Sequence, residues 1–163
     1  MAILNILKED DPTLRKISRR VDEITPRIIT LLDDMKETMR KAGGVGLAAP
    51  QVGVLRRIVV IETDDSGYIE LINPEIIKTS KKTQQTYEGC LSLPGKWGIT
   101  SRPFEVTVRA QNRKGELFEM TGTELLAKAF CHEIDHLDGI LYSDVALHML
   151  TREEMIEEGF IDG

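Results

Sequence analysis

The sequence predicts an α+β fold, a single domain of mostly antiparallel strands packed around a central helix, with a further helix near the N-terminus. Three observations carry that expectation. Apolar residues recur at helical spacing in residues 26–41 and again in residues 124–138. Between those segments lie β-rich runs broken by Asp, Asn and Gly turns. The 163 residues hold no internal repeat, low-complexity tract or Pro/Gly/Ser-rich linker, so one domain over residues 1–163, with a short acidic tail at 145–163, is the economical reading.

In chain order, the first helix spans residues 26–41 and places Ile28, Leu31, Leu32, Met35 and Met39 near one face. Thr25 suits its N-cap, Pro26 its first position, and Gly43 with Gly44 its end. Residues 57–61 (RIVVI) and 68–72 (YIELI) read as strands separated by a turn at residues 64–67. Residues 105–110 alternate, turn at Asn112-Arg113-Lys114-Gly115 and resume at residues 116–120, a hairpin pattern. The second helix covers residues 124–138, with Thr123 as N-cap and Gly139 as stop. A short amphipathic helix is expected at residues 146–158.

Composition narrows the function. At 41% hydrophobic and 29% charged the chain is globular rather than disordered. A net charge of -6 argues against nucleic-acid binding through a general basic field. No apolar run approaches the roughly 20 residues of a membrane span. The N-terminus lacks the basic head and long apolar segment of a secretory signal, so a cytoplasmic location is the expectation. There, the cysteines Cys90 and Cys131 suit metal binding or chemistry better than a disulfide.

The most informative segment is Cys131-His132-Glu133-Ile134-Asp135-His136. Positions i and i+4 of a helix share a face, so both imidazoles can reach one ion at about 2.0–2.1 Å. Glu133 lies beside them, where a carboxylate can take a proton from water. Two of the chain's three histidines fall here. The pair needs a third protein ligand, and two routes are open. Downstream stand His148, Glu153 and Glu154; upstream, Cys90 sits in Glu88-Gly89-Cys90-Leu91-Ser92, between Gly89 and Pro94, in what reads as irregular backbone. Cys131 points about 100° away from the histidine face and reads as core. A third segment, Gly44-Val45-Gly46-Leu47-Ala48-Ala49-Pro50-Gln51, follows the first helix; its glycines suggest close backbone approach, and Gln51 could offer a side-chain N–H to an oxyanion.

Taken together, in this order and at these separations, the three segments closely resemble the motifs of the peptide deformylase family, and the similarity runs from the N-terminus to about Tyr142. The resemblance implies a hydrolase that removes the formyl group from the N-terminal methionine of newly made polypeptides and releases formate. It implies one divalent ion held by Cys90, His132 and His136, with water in the fourth position: Fe2+, with Zn2+, Ni2+ or Co2+ able to substitute. Glu133 would be the general base and acid, the Leu91 backbone N–H and the Gln51 amide would hold the oxyanion, and Val45, Gly46, Leu125 and Ala129 would line the substrate site. Arg102 and Asp135 would form a pair bracing the helix and the cysteine loop.

Expected partners are N-formylmethionyl nascent peptides, met near the ribosome without strong nucleic-acid binding. The chain is expected to be a monomer with no membrane association. Some family members carry a basic C-terminal helix thought to dock on the ribosome, but here residues 151–158 (TREEMIEE) are acidic and would be repelled by phosphates. Two competing readings use the same helix: a zinc peptidase with a downstream ligand, and a metal-stabilised binding module or decayed enzyme that only recognises formylated termini.

Overall fold

A computed structural model describes residues 2–162. The first helix, α1 (Pro26–Ala42), begins as its sequence dictates: the Thr25 hydroxyl accepts from the Ile28 N–H and Pro26 opens the first turn. Gly43, at φ 72°, ends it. Its apolar face buries Leu32, Met35 and Met39.

Five strands form the main sheet: β1 (Gly46–Ala48), β2 (Ile58–Thr63), β3 (Gly67–Thr79), β6 (Glu105–Gln111) and β7 (Leu117–Thr123), in the order β1-β2-β3-β6-β7, every neighbour antiparallel. Two helices sandwich this sheet. On one face α1 packs Leu32, Met35 and Met39 against Leu47, Ile58, Val60 and Ile72. On the other, α2 (Leu125–Leu137) packs Ala127, Phe130, Ile134 and Leu137 against Val59, Ile61, Leu71 and Val108. β2 therefore faces apolar side chains on both sides, which is why Ile58, Val59, Val60 and Ile61 form an unbroken apolar run rather than an alternating one.

A second, three-stranded sheet has the order β4-β5-β8, with β4 (Thr83–Cys90), β5 (Leu93–Pro103) and β8 (His148–Met149). The β4–β5 hairpin stands across from α2 and carries Cys90 at its tip. Two short helices, α3 (Tyr142–Val145) and α4 (Arg152–Glu157), flank β8.

The structure differs from the sequence expectations at four places. Cys90 closes a strand, paired with Leu93 after a bulge at Gly89, rather than lying in irregular backbone; the ladder to β5 holds it. Thr123 is the last ladder residue of β7, opposite Glu105, so Glu124 takes the N-cap position at φ 52°. β3 continues past Pro74 to Thr79, because register shifts around residues 72–78 absorb the proline. The tail forms α3, β8 and α4 in place of one helix over residues 146–158.

Candidate metal centre and active site

The site lies between α2 and the β4–β5 hairpin. With Ala127, Phe130, Ile134 and Leu137 turned to the sheet, the opposite side of α2 presents Ala129, His132, Glu133 and His136 toward the hairpin. One ligand atom each from Cys90, His132 and His136 lies within 4.8 Å of the other two, and Cys90 Sγ is 3.4 Å from His136 Nε2. Donors around one tetrahedral ion stand about 3.5 Å apart, so the trio has the required size. A thiolate and two imidazoles are also the donor types that bind borderline and soft divalent ions. His148, the downstream alternative, faces Glu154 at 2.7 Å on the exposed tail, and neither joins this cluster.

Burial and charge set the two rings apart. His132 Nδ1 lies 2.8 Å from Glu88 Oε1, to which its N–H can donate, and Nε2 faces Cys90 and Glu133. At His132 burial opposes the cation, but Glu133, Cys90 and Glu88 outweigh it and hold the ring well above the usual imidazole range. At His136 burial and the neighbouring His132 both act downward, and the ring stays neutral. Its Nδ1 is buried without a protein hydrogen-bond partner among the described residues.

Glu133 is buried, with Oε1 lacking a hydrogen-bond partner among the described residues and Oε2 3.9 Å from His132 Nε2. Burial pushes its carboxyl up to about 7. Gly46 makes room for it: a Cβ there would lie 2.6 Å from Glu133 Oε2, so the strand can pass this close only as glycine. Gln51 is oriented by accepting the Ala48 N–H at 2.9 Å on Oε1, which turns its amide nitrogen to Ser92 Oγ (3.1 Å) and Cys90 Sγ (3.5 Å).

Glu88 joins the two sides of the site, and the sequence offered no role for it. Besides His132 it accepts both prongs of Arg102, at 2.8 and 3.1 Å, and the Thr100 hydroxyl. Arg102 also donates to Asp135 at 2.9 Å, so the expected Arg102–Asp135 pair is present as one arm of a larger network. Burial alone would raise the Glu88 carboxyl, but hydrogen bonds from His132 and Arg102 hold it well below the usual carboxylate range.

Beside these groups opens a cavity of about 430 Å³, lined among others by Val45, Gly46, Gln51, Leu91, Leu125, Ala129 and Glu133. Val45 and Leu125 remain 38% and 45% exposed, apolar surface that an apolar side chain in the cavity would cover. Tyr87, Trp97 and Lys128 also line it and were not singled out in the sequence. The chain's lone tryptophan was the available signal.

Comparison with known proteins decides what this arrangement belongs to. The family model described as polypeptide deformylase matches residues 3–152. The chain belongs to the polypeptide deformylase family. Among relatives, the peptide deformylase of Alkaliphilus metalliredigens is 61% identical over 144 residues, 88% of this chain and 97% of its own length. That of Acetivibrio thermocellus is 56% identical over 155 residues, covering 95% and 90%. The crystal structure of the peptide deformylase from Thermotoga maritima superposes with a TM-score of 0.87 at 36% identity, over 90% of this chain and 99% of that one. The likeness thus extends beyond Tyr142, through β8 to the start of α4. Removal of the N-formyl group from nascent peptides is the function of this family, and the Cys/His cluster gives this deformylase-family chain a metal-capable centre. No helix among the described residues is long and apolar enough to cross a membrane.

Proposed function

We propose that residues 1–163 act as one catalytic unit that removes the formyl group from N-terminal formyl-methionine of newly synthesised polypeptides, with Cys90, His132 and His136 holding a single Fe2+ ion and Glu133 moving the proton. The observation that carries this reading is the convergence of those three donor atoms within 4.8 Å, beside a buried carboxyl and at the wall of an apolar cavity. Zn2+, Ni2+ or Co2+ would suit the same donors. Bound there, a divalent cation would supply Lewis acidity, activating water and polarising the formyl oxygen.

The chain's own groups do the rest. Glu133, a buried carboxyl beside the proposed ligands with one oxygen unpaired among the described residues, is placed to accept a proton from water and to give it up again. Water adds to the formyl carbon; the oxygen that becomes negative there is served by the Leu91 backbone N–H and by the Gln51 amide, whose direction is already set by Ala48. Glu133 then returns the proton to the departing amine as the C–N bond breaks, leaving formate and a free N-terminal methionine. Val45, Gly46, Leu125 and Ala129 form the wall against which the methionine side chain packs. The closeness of Gly46 to Glu133 keeps the reacting corner narrow, which favours formyl over larger acyl groups.

The substrate emerges from the ribosome, so the chain works in the cytoplasm near it, as a monomer and without tight nucleic-acid binding. The test is formate release from a formyl-Met tripeptide by anaerobically prepared, iron-loaded protein, with an acetyl-Met control. Glu133→Ala is expected to keep its metal and lose turnover by roughly 10²–10⁴-fold. Persisting turnover would refute the assigned base, and an unchanged metal content in Cys90→Ser would move the third ligand elsewhere.

A further inference from the structure

The C-terminal segment returns to the wall of the cleft. β8 pairs with β5 at Gly98 and Ile99, and the Leu150 N–H donates to the Trp97 carbonyl at 2.9 Å. After α4 the chain reverses at Gly159, at φ 80°, with the Phe160 N–H bonded to the Met155 carbonyl. Phe160 thereby lands face to face on the Trp97 ring, centroids 4.8 Å apart and planes 9° from parallel, and edge-on to Tyr87 at 5.1 Å. Trp97 and Tyr87 both line the cavity, whereas Phe160 lies behind them.

Trp97 is also confined by the hairpin backbone. A Cβ on Gly89 would lie 2.8 Å from Trp97 Cζ3, so the ring is pressed against the backbone immediately before Cys90. Tyr87 is held through its own carbonyl, which accepts from Lys128 Nζ at 2.8 Å. The tail thus supplies one contact that fixes Trp97, and the backbone at Gly89 supplies another.

We infer that Phe160 is a positioning residue for substrate binding: by stacking on Trp97 and Tyr87 it fixes the hairpin wall of the cleft, so the tail acts as a clasp on the peptide site. The inference rests on the functional reading above. Phe160 touches neither the reacting atoms nor the proposed ligands, so its loss weakens peptide binding and leaves the chemical step alone. An aromatic pair is worth roughly a 2- to 10-fold change in an equilibrium constant. A looser Trp97 gives that much away in KM, because the peptide must then order the wall as it binds.

The test uses the full-length, metal-loaded protein and its single tryptophan. Phe160→Ala should red-shift Trp97 emission and raise KM for a formyl-Met tripeptide roughly 2- to 10-fold, with kcat within about twofold. Phe160→Tyr should restore both. Unchanged emission and KM in Phe160→Ala would overturn the inference, as would a fall in kcat with KM unaltered. If wild-type protein releases no formate, the functional reading fails by itself. The emission shift and its reversal in Phe160→Tyr, with peptide binding read by Trp97 quenching, then decide the clasp.

Discussion

Two arginine forks in this molecule are built alike and placed differently. Arg102 grips Glu88 of β4 with two prongs and reaches Asp135 of α2 at 2.9 Å. Arg113, in the turn after β6, grips Glu70 of β3 at 2.8 and 2.6 Å and reaches Asp33 of α1 at 2.9 Å. Each joins a strand glutamate to a helix aspartate, and each glutamate has a further partner: His132 for Glu88, the Tyr68 hydroxyl for Glu70. The difference is water. The Arg102 side chain is 8% exposed and that of Arg113 37%. In the dry fork, Arg102 and Glu88 are out of solvent and depend on each other, and the network ends on a proposed metal ligand. The wet fork staples α1 to the sheet, where solvent reaches Arg113 and Asp33 although Glu70 itself is largely buried.

Truncating the same residue type in both forks tests that contrast. The largest effect is expected from Glu88→Ala, which strands Arg102 without its main counter-charge and frees the His132 ring. Unfolding free energy should drop by about 3–5 kcal/mol. Metal affinity should fall roughly 10–100-fold, read by denaturant titration and metal analysis. If the metal stays bound as in wild type, Glu88 does not orient His132.

Glu70→Ala should cost less, about 1–2 kcal/mol at neutral pH, with metal content and turnover unchanged. Its loss has a pH signature. Burial would raise the Glu70 carboxyl, but hydrogen bonds from Arg113 and Tyr68 bring it below its ordinary value of 4.5. A carboxyl lowered in the folded state stabilises fully above the unfolded value and loses that contribution as pH falls through the folded one. The gap between wild type and Glu70→Ala should therefore be constant near neutrality and close below about pH 4.5. A gap that widened in acid would contradict the ion pair. The smallest effect is expected from Asp135→Asn, which keeps the Glu88 prongs intact and should cost less than about 1 kcal/mol. A larger loss in thermal unfolding would make the helix arm of the fork as important as the strand arm.

The same contrast explains which parts of the site could be read in advance. His132, Glu133 and His136 sit on one helix, and a helix converts spacing into geometry without help from the rest of the chain. α1 was legible for the same reason, down to its Thr25 cap and Gly43 stop. Cys90 was different: the residues alone left it in competition with His148, Glu153 and Glu154, and the resemblance pointed to it. The β4–β5 hairpin that carries it was not foreseen, because TQQTYEGC and LPGKWGITSRP lack a clean apolar alternation. β5 does bury alternate residues, Gly98, Thr100 and Arg102, but these are glycine or polar, so no apolar period marks the strand. The hairpin is held by its own pairing, by β8 and by the Phe160 stack.

Thr123 misled for a related reason. A threonine before a helical run has the chemistry of a cap, but pairing with Glu105 had already committed its backbone to a strand. Glu88 was the largest omission. Nothing in the identity of one glutamate distinguishes a solvated residue from a buried hub; that depends on Arg102 and His132, which lie 14 and 44 positions away in the chain.

Local pattern alone was thus enough for the two main helices, the histidine pair with its adjacent carboxylate, and the apolar run of β2, since each is set by periodicity within a few turns or strands. The third donor's backbone, the buried fork behind His132 and the return of the tail onto Trp97 emerged only from packing. They depend on contacts between segments far apart in the chain, and the energy of a charge or a ring is decided by what surrounds it after the chain has closed.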